Sequence, residues 1–288
     1  MKALYDLPAL AKLNLFLHVV GKRSDGYHLL ESLFVPIDWA DTLHLEKRSD
    51  GRIQRQDRRP GDLPAEDLCV RAARALQQAS GCSLGVDIHL DKCLPSGAGM
   101  GGGSSDAATV LIGLNRLWGL GWNRPRLVQL GLTLGADVPF FLGRGPALAQ
   151  GIGEQLTPVA LPRLRLAVLK PSQSLPTAAI FSSPLLQTSK TQSIVAGSVA
   201  DKWFQQRNDL QAAAQAQCPE IADALELLQN RFGNSRMTGS GSAVFAQIDR
   251  DDSPMATKLG DFIEVPEQWE GRICRSLEAL PLAAWLED

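Results

Sequence analysis

Two kinds of residue in this sequence are spaced to do chemistry together. The first is a glycine-serine run, Pro95-Ser96-Gly97-Ala98-Gly99-Met100-Gly101-Gly102-Gly103-Ser104-Ser105, followed directly by Asp106. A turn of this composition entering a helix gathers unpaired backbone N–H groups and the positive end of the helix dipole at one spot. Without Cβ atoms in the way, an anion can come close to the backbone. The run therefore reads as a phosphate cradle. The second is a small set of polar residues set among apolar neighbours. Lys12 and Asn14 lie in an alternating stretch, Tyr27 and His28 end a turn, and Asp137 stands alone in Gly135-Ala136-Asp137-Val138-Pro139-Phe140-Phe141. A carboxylate in such company is a candidate base or metal contact, and a nearby cation would keep it ionised. The competing reading makes Asp137 the cap of a short helix opening near Pro139.

The cradle fits neither of the two common phosphate loops. Gly97-Ala98-Gly99-Met100-Gly101-Gly102 matches G-x-G-x-x-G, but a dinucleotide turn needs an acidic residue about 20 positions on. Between Asp106 and Asp137 there is neither Asp nor Glu. A Walker loop ends in Gly-Lys-Ser/Thr, whereas Gly103 runs straight into Ser104.

Elements to carry these groups are legible on either side. Val86 to Lys92 alternates as a half-buried strand before the glycine loop, and Ala107 to Trp118 repeats at helical spacing after it, with Ser104 or Ser105 as its expected cap. Ala9 to Val20 alternates as a strand, which puts Lys12 and Asn14 side by side on one face. Leu33 to Leu45 reads as a strand pair, Ser49 to Pro64 as a polar loop and Leu68 to Ala79 as a helix; Asn123 and Pro125 open another helix that Gly135 closes. Glycine and proline punctuation over 143–153 and 158–163 marks a boundary, giving domains 1–157 and 158–288. In the second, a strand at 164–169 precedes a Ser/Thr/Pro-rich loop over 171–198. Helices follow at 201–217 and 219–232, then a second small-residue turn, Met237-Thr238-Gly239-Ser240-Gly241-Ser242-Ala243.

Composition narrows the function classes. With 29 Lys and Arg against 31 Asp and Glu, and no long run of either sign, neither nucleic acid nor a membrane surface is an expected partner. The five cysteines are scattered and never spaced C-x-x-C, which suits a reducing cytoplasm; the four histidines form no metal-spaced cluster, and no metal ligands are assigned. The first residues lack the apolar core of a signal peptide, and no apolar run is long enough to span a bilayer.

Taken with Ala11-Lys12-Leu13-Asn14-Leu15, Asp25-Gly26-Tyr27-His28, Leu134-Gly135-Ala136-Asp137-Val138-Pro139 and Thr238-Gly239-Ser240-Gly241, the glycine loop resembles that of the GHMP family of small-molecule kinases. The resemblance runs from Ala9 to about Ile248. It implies an α+β fold of two domains, the first like ribosomal protein S5 domain 2, with the active site in the cleft between them. It also implies ATP and Mg²⁺ as cofactors, a monomer or weak homodimer, and a substrate in which a cytidine diphosphate is joined to methylerythritol, on the non-mevalonate route to isoprenoid precursors. Asp137 would then be the general base toward the 2-hydroxyl, and Lys12 would stabilise charge. Asn14 would orient the substrate, Tyr27 would stack on the cytosine and His28 would bond its edge, with Thr177 and Gly239 also at the substrate. Asp67-Leu68 stands where the family usually has Asn-Leu near the adenine, and Ser182 stands where some members have lysine. Two other readings remain open on these residues: a kinase of the same family for another small alcohol, and a nucleotide-binding regulator without catalysis.

Overall fold

The computed structural model describes residues 1–57, 64, 66–189, 203–248, 259–261 and 263–288. Two antiparallel-rich sheets stand back to back, each with helices on its outer face. The first has β3 (Ile53–Asp57), β4 (Gly85–Asp91), β2 (His28–Arg48), β5 (Ala147–Gln150) and β6 (Gln155–Pro158) in that order, with β1 (Ala3–Lys22) paired to β2. The second runs β10 (Glu270–Arg275), β7 (Arg165–Lys170), β9 (Val244–Gln247), β8 (Arg236–Met237). Helices α1 (Leu68–Ser80), α2 (Gly102–Leu117), α3 (Arg124–Leu132) and α4 (Val138–Phe141) belong to the first sheet. Helices α5 (Thr177–Phe181), α6 (Gln211–Gln217) and α7 (Glu220–Phe232) belong to the second.

Three apolar cores follow from this layering. One joins the first sheet to α1 and α2 through Leu43, Leu45, Leu76, Ala107, Val110 and Leu111. The middle one lies between the sheets, where Leu13, Leu15, Phe16, Val35 and Ile37 meet Leu166, Val168 and Phe245. The third packs Leu169 and Val244 against Leu210, Ile221 and Leu228. β1 contributes to all three, with Leu7 and Ala9, then Leu13 and Leu15, then Leu17 and Val19. Burial on both faces explains why its sequence is apolar nearly throughout, and bulges between Leu10 and Ala11 and between Asn14 and Leu17 let neighbouring residues share a face.

Several expectations change in detail. Leu33 to Leu45 is part of one long strand, β2, which pairs with β1, β4 and β5 in turn. Within the stretch read as a polar loop, Ile53–Asp57 forms a strand parallel to β4, and 58–63 lie outside the described residues. The helix expected over 201–217 is a short 3-10 turn at Trp203–Gln205 followed by α6. Between them, Asp209 donates its N–H to the Leu17 carbonyl and accepts from Val19 N at 2.9 Å, so this backbone is spent on β1 instead. Of the loop read over 171–198, the described part contains α5. The C-terminal stretch returns to the first lobe, where Leu280, Leu282 and Leu286 join its core and Arg124 pairs with Asp288.

Candidate active site

The cleft is built from four backbone devices. In the first, the glycine loop leaves β4 and enters α2, whose cap is Gly101 in the left-handed region (φ 72°), with no side-chain cap bond. The helix starts earlier than its apolar stripe announces, and the expected serine cap is absent. An uncapped N-terminus keeps its N–H groups and dipole available to an anion. The loop's carbonyls, by contrast, are spent on the protein. Ser96 O accepts from Ser174 Oγ, Gly97 O from Ser242 N, Ala98 O from Ala243 N and Met100 O from Lys12 N, at 2.8 to 3.2 Å. A cradle that turns its acceptors inward in this way presents donors to a ligand.

The second device is the Met237–Ala243 turn, which clasps the glycine loop from the other lobe. Gly99 and Gly239, at φ of 72° and 55°, meet so closely that a Cβ on Gly239 would stand 2.5 Å from Gly99 O. The third is β1, whose pleat puts Lys12 and Asn14 on one face as the alternation predicts. Both are buried, at 3% and 1% exposure, and Lys12 Nζ donates to Asn14 Oδ1 at 2.5 Å. The fourth is the turn into α4. Asp137 occupies the N-cap position but makes no side-chain cap bond. Its carboxylate instead lies 3.4 Å from Lys12 Nζ, so capping is not what Asp137 is for. The Phe34 ring, its centroid 4.5 Å from Nζ, closes the other side of the ammonium.

A single cavity of about 1150 Å³ takes in Lys12, Asn14, Tyr27, His28, Asp137, Thr177, Gly239 and the loop from Pro95 to Ser104. Ser105 is the exception among the expected loop residues. One helical step beyond Ser104, it turns toward the protein interior and is 2% exposed.

At one end of the cavity Tyr27 is open to solvent, and His28 stacks on Phe181 with ring centroids 5.3 Å apart. Burial and the neighbouring Lys22 push the His28 imidazole below its ordinary range, so it is neutral at pH 7. Phe181 is a site residue the sequence did not single out, because a lone aromatic in a polar stretch carries no motif. Ser182 lines the cavity too, and Ser240 does so while bonded to Thr177 Oγ1 at 2.9 Å.

The cavity wall also takes in Glu66, Asp67, Leu68, Arg71 and Lys92, with Leu68 against Gly103. Asp67 caps α1 by accepting from Val70 N at 3.1 Å, and Arg55 Nη1 stands 2.9 Å from the same oxygen. The guanidinium balances the charge that a carboxylate, in place of an amide, brings to this position. Below the loop, Lys92 bridges Asp41 and Asp106. Against the cost of burial these two carboxylates hold the Lys92 ammonium protonated. Burial also pushes the Asp106 carboxyl up to about 7 despite Lys92, and its Oδ1 is buried without a partner among the described residues. Asp106 thus answers to Lys92 rather than adding free charge beside a phosphate.

An uncapped glycine cradle beside a lysine-aspartate pair, clasped by a turn from the second lobe, defines a GHMP-type small-molecule kinase. In agreement, residues 67–145 match the family model for the GHMP kinases N terminal domain, and residues 198–257 match that for GHMP kinases C terminal. The chain is 55% identical over 285 residues to the 4-diphosphocytidyl-2-C-methyl-D-erythritol kinase of Methylibium petroleiphilum, covering 99% of both proteins. It is 53% identical over 301 residues to the enzyme of the same name from Verminephrobacter eiseniae, covering 100% of this chain and 99% of that one. A crystal structure of 4-(cytidine 5'-diphospho)-2C-methyl-D-erythritol kinase superposes with a TM-score of 0.75 at 34% identity, covering 93% of this chain and 98% of that one. The chain belongs to the 4-diphosphocytidyl-2-C-methyl-D-erythritol kinase family.

Proposed function

We propose that this cleft transfers the γ-phosphoryl group of ATP to the 2-hydroxyl of 4-diphosphocytidyl-2-C-methyl-D-erythritol, giving the 2-phosphate and ADP, with Asp137 as general base and Lys12 as charge stabiliser. The observation that carries the reading is the Asp137 side chain. It sits at a helix N-cap, makes no cap bond, and faces Lys12 in the same cavity as the glycine loop. The hydroxyl proton passes to Asp137 as the oxygen attacks. Lys12 has donors beyond the one given to Asn14, and these neutralise charge on the carboxylate and on the moving phosphoryl group. Phosphoryl transfer asks for little more than this, since it depends on positioning and on charge stabilisation.

The remaining residues supply position. The loop from Pro95 to Ser104 cradles the phosphates, and the wall at Asp67, Leu68 and Arg71 receives the rest of the nucleotide. Tyr27 stacks on the cytosine, with Phe181 as a second apolar face and neutral His28 bonding its edge. Thr177 and Gly239 line the path between. Mg²⁺ binds with few protein ligands when phosphates and water supply the rest. The Ser104 hydroxyl and the Asp106 carboxylate, whose Oδ1 lacks a partner among the described residues, are the groups that would hold Mg²⁺ through water, and the ion would neutralise phosphate charge. The domain division near 157/158, a cytoplasmic setting and a monomer or weak homodimer belong to the same reading. Five unpaired thiols support the setting, and among the described residues no helix is long and apolar enough to cross a membrane.

The test is ADP release from Mg-ATP with 4-diphosphocytidyl-2-C-methyl-D-erythritol, mevalonate, homoserine and galactose in parallel. Turnover with the first alone supports the reading. Turnover with another alcohol would remove Tyr27 and His28 from their roles, and no turnover with any would leave a binding protein.

A further inference from the structure

Ser32 sits near the start of β2, 1% exposed and outside the residues that line the cavity. A buried hydroxyl among Leu30, Leu33 and Phe34 is costly unless its hydrogen bonds are made. Here both are made, and their direction matters. Ser32 Oγ donates its one proton to the carbonyl of Phe16 at 2.5 Å, an atom that can only accept. The hydroxyl therefore has only lone pairs left for Asn14, and the Asn14 atom facing it, 2.8 Å away, must be the donor Nδ2. That in turn fixes the opposite atom of the amide as oxygen.

Asn14 Oδ1 is thereby aimed at Lys12 Nζ, 2.5 Å away. Thr238 completes the arrangement from the second lobe. Its Oγ1 accepts from Asn14 N at 2.8 Å, leaving its proton for Asn14 Oδ1 at 3.4 Å. The Asn14 oxygen is then engaged within the protein by Lys12 and Thr238, and its nitrogen by Ser32, which leaves one Nδ2 N–H for the cavity that Asn14 lines. The amide holds the ammonium from one side, with Asp137 Oδ2 at 3.4 Å on another. A flipped amide would set an NH₂ group against a protonated amine, so the ammonium would lose its place beside Asp137.

We propose that Ser32 is a positioning residue for the transfer, locking the Asn14 amide so that its oxygen seats the Lys12 ammonium beside Asp137. This rests on the roles given to Lys12 and Asp137 above. Because Ser32 meets no ligand, its loss acts on the rate of transfer and not on substrate affinity.

Steady-state kinetics of four variants separate the possibilities. Ser32→Ala is expected to lower kcat about 10- to 100-fold, the scale of a small misplacement of a reacting group, with KM for ATP and for the alcohol within about 2-fold of wild type. Ser32→Thr, which keeps a hydroxyl, is expected to restore most of kcat. Asn14→Ala is expected to lower kcat as well, and adding Ser32→Ala to it to cost nothing more, since Ser32 acts through Asn14. A Ser32→Ala loss that is as large with Ala at position 14 as with Asn, or one carried in KM, would overturn the proposal. Should Ser32→Ala fail to fold, Ser32→Cys replaces it; wild-type kcat in that variant would equally overturn the proposal, because a thiol is a weak partner for the amide. Lys12→Met, run alongside, tells the two readings apart: unchanged kcat there breaks the roles of Lys12 and Asp137, whatever Ser32 does.

Discussion

Lys12 Nζ stands 3.4 Å from Asp137 Oδ2 although the two residues lie in different elements, one on a strand running through all three cores and the other at the mouth of a four-residue helix. The lysine side chain is 4% exposed and the aspartate 30%, so the pair is one-sided. The cation is sealed into the protein, and the carboxylate opens to the cavity. That asymmetry suits a base that must reach a substrate hydroxyl while its partner stays fixed. Lys12→Met is accordingly expected to lower kcat by about 100-fold or more, the scale of one preorganised donor at a developing charge. A rapid-quench measurement of product formation checks it.

Substrate recognition should separate from chemistry at the aromatic end. Tyr27 is 61% exposed and Phe181 is only part-buried, so neither holds the fold together. Tyr27→Ala and Phe181→Ala are each expected to raise KM for the cytidyl alcohol about 5- to 100-fold, the range of one base-stacking contact. KM for ATP should be unchanged. Equal effects on both substrates would place these rings elsewhere in the binding scheme.

The Lys92 bridge makes a prediction about pH. Asp41 is fully buried, Asp106 nearly so, and both lean on this one ammonium. Lys92→Met leaves two carboxylates buried without a cation, at a cost of about 3 kcal/mol when both are ionised. The Asp106 carboxyl is held at about 7 in the folded protein, above its unfolded value of 3.8. A raised folded value means that the fold favours the protonated form, so stability is fuller at low pH and is lost as pH rises through the folded value. Without Lys92 that value climbs further. The deficit in the urea midpoint should therefore be larger at about pH 8 than at about pH 5, and a deficit independent of pH would contradict this account of the bridge.

The clasp between the two glycine turns is testable at Gly99. A Cβ there would lie 2.6 Å from Thr238 O and 3.0 Å from Gly241 N, on a backbone already at φ 72°. Both contacts are main chain and cannot swing away. Gly99→Ala is expected to raise KM for ATP and to lower the unfolding midpoint together, because one displacement opens the cradle and unseats the second lobe. An intact midpoint with raised KM would mean that the loop yields alone.

The sequence announced most of the site because its residues answer to local rules. Glycines crowd where an anion must approach the backbone, alternation puts Lys12 beside Asn14, and Asn123 with Pro125 opens α3 as their types dictate. What it could not announce depends on contacts distant in the chain. Phe181 becomes a site residue only because α5 sets it against His28, and Ser105 leaves the site only because α2 begins at Gly102 rather than after a serine cap. Nor could it announce that Asp67 and Asp106 are paired with Arg55 and Lys92, 12 and 14 positions away. That Asn14 also holds Lys12 shows only once Ser32 and Thr238 are seen to fix its amide.

The central claim is that Asp137 accepts the hydroxyl proton, and the most direct test is single-turnover phosphorylation of 4-diphosphocytidyl-2-C-methyl-D-erythritol by Asp137→Asn, with nucleotide binding measured on the same protein. The account predicts ATP affinity within about 2-fold of wild type and a transfer rate lower by about 10² to 10⁴. A variant that transfers phosphate within about tenfold of the wild-type rate, with ATP bound as before, would contradict it.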